Sequence, residues 1–136
     1  MIIEILKDKT IGQIQEEFSN TFPYLKLVFF SKPHKAYKGS PAKFIVDDGN
    51  MPSGELIKKH EGGHIYIEPE MPTWQVERLF ESEFGLYVQV FRKSGNTWLV
   101  TSVTDDLTLE EQNVKGKDSQ RHHFDLVDPL DYREQD

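Results

Sequence analysis

A pattern that recurs at an offset of about sixty residues restricts the folds open to this chain more than any other feature. The first copy runs Ile3-Glu4-Ile5, then Thr10 to Phe22, then Leu25-Lys26-Leu27-Val28-Phe29-Phe30. The second runs Ile65-Tyr66-Ile67, then Pro72 to Phe84, then Leu86-Tyr87-Val88-Gln89-Val90-Phe91. Gln13, Ile14, Phe18 and Phe22 stand opposite Gln75, Val76, Phe80 and Phe84 at an offset of 62. The offset falls to 61 in the strand that follows, where Pro23-Tyr24 faces Gly85.

Each copy reads strand, helix, strand. Apolar residues every fourth position (Ile14, Phe18, Phe22; Val76, Phe80, Phe84) give one buried stripe per helix. Thr10 and Thr73 are the expected N-caps, and Pro23 and Gly85 the expected stops. Period-two alternation puts Leu25, Leu27 and Phe29, and likewise Leu86, Val88 and Val90, on the inward face. Two β-α-β units in one small chain predict an α+β fold of the ferredoxin-like, split β-α-β kind, in which helices cover one face of a sheet.

The expected domain spans residues 1–117. It comprises repeat 1 (about 1–32), an insert (33–63), repeat 2 (about 64–93), and an extra strand and helix (94–117). Within the insert, Lys43-Phe44-Ile45-Val46 reads as a strand and Asp47-Asp48-Gly49-Asn50 as a turn. A helical piece is expected from Ser53 through Leu56-Ile57, ending at Gly62-Gly63. Ser94-Gly95-Asn96 predicts a hairpin turn into Thr97–Val103, and Thr108 with Glu111 has capping-box spacing for a helix ending near Gly116. Residues 118–136 are expected to be an acidic tail docked on the body.

The 136 residues include no cysteine, which excludes disulfides, thiolate nucleophiles and cysteine-held metal clusters. No apolar run has the length of a membrane span, and charges interrupt the first residues where a signal peptide is apolar. The expectation is a cytoplasmic protein with no membrane association. Net charge is −7, which disfavours generic binding to nucleic acid. That charge is unevenly placed. Residues 104–136 hold ten acids and four bases, whereas 1–103 are nearly neutral at 13 acids and 12 bases.

Several constellations could carry chemistry. His60-Glu61-Gly62-Gly63-His64 matches H-E-x-x-H, in which a continuous helix sets two histidines on a metal and the glutamate acts as base. Two central glycines and the strand-like Ile65-Tyr66-Ile67 oppose such a helix. A helix C-terminus, complemented by Lys58, Lys59 and His60, is the simpler expectation, with no metal or cofactor. The insert carries Lys32, His34, Lys35, Lys38 and Lys43 around Tyr37, a candidate anion-binding run. His122-His123 lacks a third ligand, Asp47-Asp48 lacks calcium-loop spacing, and Asp105-Asp106 suits a helix start. No serine is framed as a nucleophile.

The outward strand positions are the stronger signal. Val28, Phe30, Tyr66, Tyr87 and Phe91 fall on the face away from the helices, which should be wet in a one-sided sheet. Phe30, Tyr66, Tyr87 and Phe91 are therefore the candidate interface for self-association or a protein partner. The expected function is that of a non-enzymatic binding module. The runner-up is a metal-dependent hydrolase using His60, His64 and Glu61, and the next is anion or nucleic-acid binding by the insert lysines. The stretch from Phe84 to Asn113, with Thr10-Ile11-Gly12 through Phe22-Pro23-Tyr24-Leu25, resembles an uncharacterised family of small bacterial proteins of the Bacteroidetes type. The resemblance implies a bacterial cytosolic protein of unknown function and carries no catalytic residues across.

Overall fold

The alternation at the start of the chain becomes strand β1 (Ile2–Leu6), with Ile3 and Ile5 fully buried and their neighbours exposed. Helix α1 (Ile11–Thr21) follows, burying Ile11, Ile14 and Phe18, and then β2 (Leu25–Phe30). The structure is a computed structural model that describes residues 1–33, 42–60 and 62–126, with 121–126 described by backbone alone. The remaining elements are β3 (Ile45–Val46), β4 (Gly62–Tyr66), α2 (Thr73–Phe84), β5 (Tyr87–Ser94), β6 (Thr97–Val100) and α3 (Leu109–Leu126). The fold is mixed α+β.

All ladders are antiparallel. The first strands of the two β-α-β units pair with each other, β1 with β4, and the second strands pair with each other, β2 with β5. The latter pair is extended on both sides into a four-stranded sheet of order β3-β2-β5-β6. A ferredoxin-like arrangement calls for one continuous sheet, and these ladders form two. Where β3 and β6 do not reach, helical side chains bond the backbone of β2 and β5. Gln15 and Ser19 of α1 donate to the Leu27 and Leu25 carbonyls at 2.9 and 3.0 Å. On α2, Glu77 stands 62 residues after Gln15 and accepts the Val90 N–H at 3.0 Å. Between the layers lies one core, in which Phe29 meets Phe80 edge-on at 6.3 Å. Burying an aromatic of this size contributes about 1.5–3 kcal/mol.

The likeness of the halves extends past the strand that closes each β-α-β unit. Ile11 and Gly12 at the start of α1 donate to the Met51 and Gly49 carbonyls, while Thr73 and Trp74 at the start of α2 donate to Leu107 and Asp105. Ser53 and Gly54 donate to Lys9 and Lys7, as Leu109 and Glu110 do to Met71 and Pro69. Isolated bridges join Thr10 to Pro52 and Pro72 to Thr108. In every pair the helix-side partners are 62 residues apart and the loop-side partners 56. Within the segment read as an insert, Gly49–Gly54 is thus the counterpart of Asp105–Glu110 at the start of α3.

Beyond these loops each half crosses to the other's helix end. The Lys58 N–H donates to Phe84 at the end of α2 (2.8 Å), and the Tyr24 N–H beyond α1 donates to Asn113 Oδ1 of α3 (2.9 Å). A Cβ on Gly85 would lie 2.7 Å from the Lys58 Cβ, and one on Gly116 would lie 2.7 Å from the Tyr24 Cβ. The halves interlock.

Some local expectations are corrected. Thr10 caps α1 in a capping box with Gln13, but α2 is preceded by Pro72; Thr73 is buried and its hydroxyl donates to Leu107 (2.8 Å). Ser53 begins only a 3-10 turn, Ser53–Glu55, and no helix reaches Gly62. Gly116 does not end α3, because close approach to Tyr24 is what it permits; the helix runs on to Leu126, so the boundary drawn at 117 falls inside it. The strand after the hairpin stops at Val100. The Thr108–Glu111 capping box forms in both directions, at 2.9 and 3.0 Å. Among the described residues, no helix is long and apolar enough to cross a membrane.

Candidate binding face

Cross-strand partners in an antiparallel sheet share a face, so the register sorts the residues. Leu25, Leu27, Phe29, Val88 and Val90 point into the core. The opposite face carries Lys26, Val28 and Phe30 from β2, Ile45 from β3, and Tyr87, Gln89, Phe91 and Lys93 from β5. The β5–β6 register adds Trp98 opposite Lys93 and Val100 opposite Phe91. No position on this face holds an acid, in a chain with 23 of them.

The aromatic rings there are occupied by cations. Lys26 Nζ lies 4.7 Å from the centre of the Trp98 ring and 5.9 Å from that of Phe91. Lys93 Nζ lies over the same Trp98 ring at 5.0 Å, and Lys58 Nζ over Tyr87 at 4.5 Å. Such contacts contribute roughly 0.5–1 kcal/mol each at exposed sites. Two ammonium groups on one indole also repel each other. Partial burial, and then the charge of Lys93, hold the Lys26 ammonium below the ordinary lysine value.

The four aromatics expected to form one interface divide in three ways. Tyr87 and Phe91 are half-buried on this face, and Phe30 shares it but is only 2% exposed. Tyr66 belongs to the other sheet, opposite Ile2, and is 64% exposed. Sequence reasoning missed Trp98, Lys26 and Lys93. The signal was present in the hairpin: a two-residue loop at Gly95-Asn96 sets Ser94 opposite Thr97, and hence Lys93 opposite Trp98.

The other candidates are dispersed. His60 has a positive φ of 55°, and His64 sits in β4, its Nε2 4.0 Å from Glu4 Oε1 across the ladder. The pentapeptide therefore lacks the helix its metal chemistry requires, while Glu61 lies outside the described residues. No group of three metal-ligating side chains occurs among the described residues. Lys58 and Lys59 do complement a helix C-terminus, but it is that of α2: both backbone N–H groups donate to Phe84. Of the insert's basic run, Lys32 and Lys43 share the Phe44 ring at 5.3 and 5.2 Å. His34, Lys35, Tyr37 and Lys38 lie outside the described residues, as do the side chains of His122 and His123. Asp48 closes its turn by accepting the Asn50 N–H, and the Asp105 carbonyl caps α2 rather than α3.

Family models, curated proteins and solved structures return no match to this chain.

Proposed function

We propose that the protein is a binding module whose working surface is the sheet face around Tyr87, Phe91 and Trp98, and that its partner there is anionic. The observation that carries this reading is the pair of ammonium groups, Lys26 and Lys93, on one Trp98 ring with no acid on the face. An incoming carboxylate would relieve their repulsion and add charge-assisted hydrogen bonds. Self-association through this face would set the lysines of one copy against those of the other, so a different, acidic molecule is the better partner. Half-buried aromatic rings with ammonium groups over them suit an acidic protein segment. The paired order of the halves supports reading the β-α-β-β-α-β core, ferredoxin-like in sequence order, as an internal duplication. The bacterial, cytoplasmic setting implied by the family resemblance belongs to the same proposal.

A chain carrying Trp74→Phe leaves Trp98 as the one indole and so reports on this face alone. Added polyglutamate should change its emission at low salt, and adding Lys26→Gln with Lys93→Gln should abolish the response. An emission that ignores every anion offered, with circular dichroism confirming the fold, would refute the reading.

A further inference from the structure

Strand β6 forms one outer edge of the four-stranded sheet. Edge strands are normally guarded by charge, proline, a bulge or a covering segment, because their free N–H and C=O groups template another strand. The sequence of β6, Thr97-Trp98-Leu99-Val100, has neither charge nor proline, and it pairs with β5 without a bulge. Its side chains are open in part. Leu99 and Val100 are 45% and 41% exposed, and Val103 just beyond is 85% exposed.

The register says which backbone groups are free. In an antiparallel ladder, bonded and non-bonded pairs alternate. The Thr101 N–H donates to the Val90 carbonyl at 3.2 Å, so the 90/101 pair is a bonded one. Leu99 then bonds to Arg92 and Thr97 to Ser94, while the N–H and C=O groups of Trp98 and Val100 point away from β5. Among the described residues these groups have no backbone partner. Their side chains are the two that β6 contributes to the cationic face. Lys26 reaches across β5 to Trp98, so both ammonium groups gather at this edge.

We infer that β6 accepts an extended acidic peptide segment as a fifth strand, held by the Trp98 and Val100 backbone groups and selected by Lys26 and Lys93. The inference rests on the proposed function and names the form its partner takes. Main-chain bonds supply affinity in strand addition, and alternate side chains supply selection. With period-two alternation, every second side chain of the guest falls on the face of Trp98, where a glutamate meets the two ammonium groups. The intervening side chains lie on the side of Leu99, where an apolar residue is matched. A second copy of β6 fits the backbone but not the charge.

The test uses the full chain and a fluorescent peptide of alternating valine and glutamate. Two further versions carry N-methyl groups on every second amide, one along each edge, which blocks strand pairing on that edge and leaves charge unchanged. The unmodified peptide should bind, with affinity falling at high salt and dropping about tenfold with Lys26→Gln and Lys93→Gln together. One methylated version should lose binding and the other keep it. Bound peptide should slow amide hydrogen exchange at Trp98 and Val100, while Thr97 and Leu99 are already protected. Lysine-dependent binding that tolerates both methylated versions, with Trp98 and Val100 still exchanging freely, would overturn strand addition and leave the anionic-face reading intact. Absence of binding by any acidic peptide or by oligothymidylate would overturn both. A concentration-dependent dimer that protects Trp98 and Val100 without peptide would overturn the choice of occupant.

Discussion

Beside α1, a shallow depression is lined by Glu4, Asp8, Lys9, Glu16 and Glu17, with Lys9 paired to Glu17 and donating to the Glu4 carbonyl. At the matching positions of the second half, 62 residues on, stand Tyr66, Glu70, Met71, Arg78 and Leu79. Met71 and Leu79 pack against the core, and Arg78 lies over Trp74 at 5.2 Å. The four backbone bonds named at each helix start correspond pair by pair, yet the first place gathers four acids around one lysine while the second mixes charged with apolar side chains. The buried stripe behaves in the opposite way. Ile14 and Phe18 are answered by Val76 and Phe80, all fully buried. Packing limits what the interior can accept, whereas a surface position can change chemistry at little cost in stability. The two halves therefore share a scaffold and differ where a ligand would look.

If the halves are energetically equivalent, Phe18→Ala and Phe80→Ala should each cost about 3–5 kcal/mol and leave a single unfolding transition. Denaturant titration by two probes, fluorescence and circular dichroism, checks this. A second transition in either variant would break the comparison, because it would show one half surviving without the other.

A smaller effect tests the interlock. Gly116→Ala should cost about 1–3 kcal/mol through overlap with Tyr24. Gly85→Ala should cost more, because it meets Lys58 and also holds φ at +67°, where a Cβ adds about 1–2 kcal/mol. Thermal midpoints that do not move would show that the crossings are not tight.

The smallest effect separates two helix starts. Thr10→Ala should cost about 1 kcal/mol at any pH, since its box partner Gln13 does not titrate. At α3 the box partner is Glu111, whose carboxyl is held below its ordinary value first by the Thr108 backbone N–H, then by the Thr108 side chain. A depressed carboxyl stabilises fully above its unfolded pKa, and that contribution is lost as pH falls through the folded value. Glu111→Gln should flatten this part of the acid limb and make the α3 start behave like that of α1. An unchanged acid limb in this variant would remove the distinction.

Much of this architecture is legible in the residues. Apolar spacing locates α1 and α2, alternation locates β1, β2 and β5, and the capping boxes at Thr10 and Thr108 mark two helix starts within a residue. These signals are local, since each depends on neighbours within a turn or along a strand. The candidate face was half legible. Tyr87 and Phe91 follow from alternation, but alternation alone leaves Phe30 open where packing buries it, and it does not show that Tyr66 belongs to the other sheet. Trp98 could have been placed by counting back across the hairpin. The reach of Lys26 over two strands to that ring could not.

What the sequence determined alone was the order of elements, their inward faces and the repetition of both. The tertiary structure decided which strands pair, that the presumed insert covers the start of α1, and that Gly116 is a crossing rather than an end. It also decided that the lysines of a chain with net charge −7 gather on a sheet face without acids. The reason is one of range. Periodicity and capping are settled by residues a few positions apart, whereas pairing, close approach and surface charge depend on segments that only the finished fold brings together.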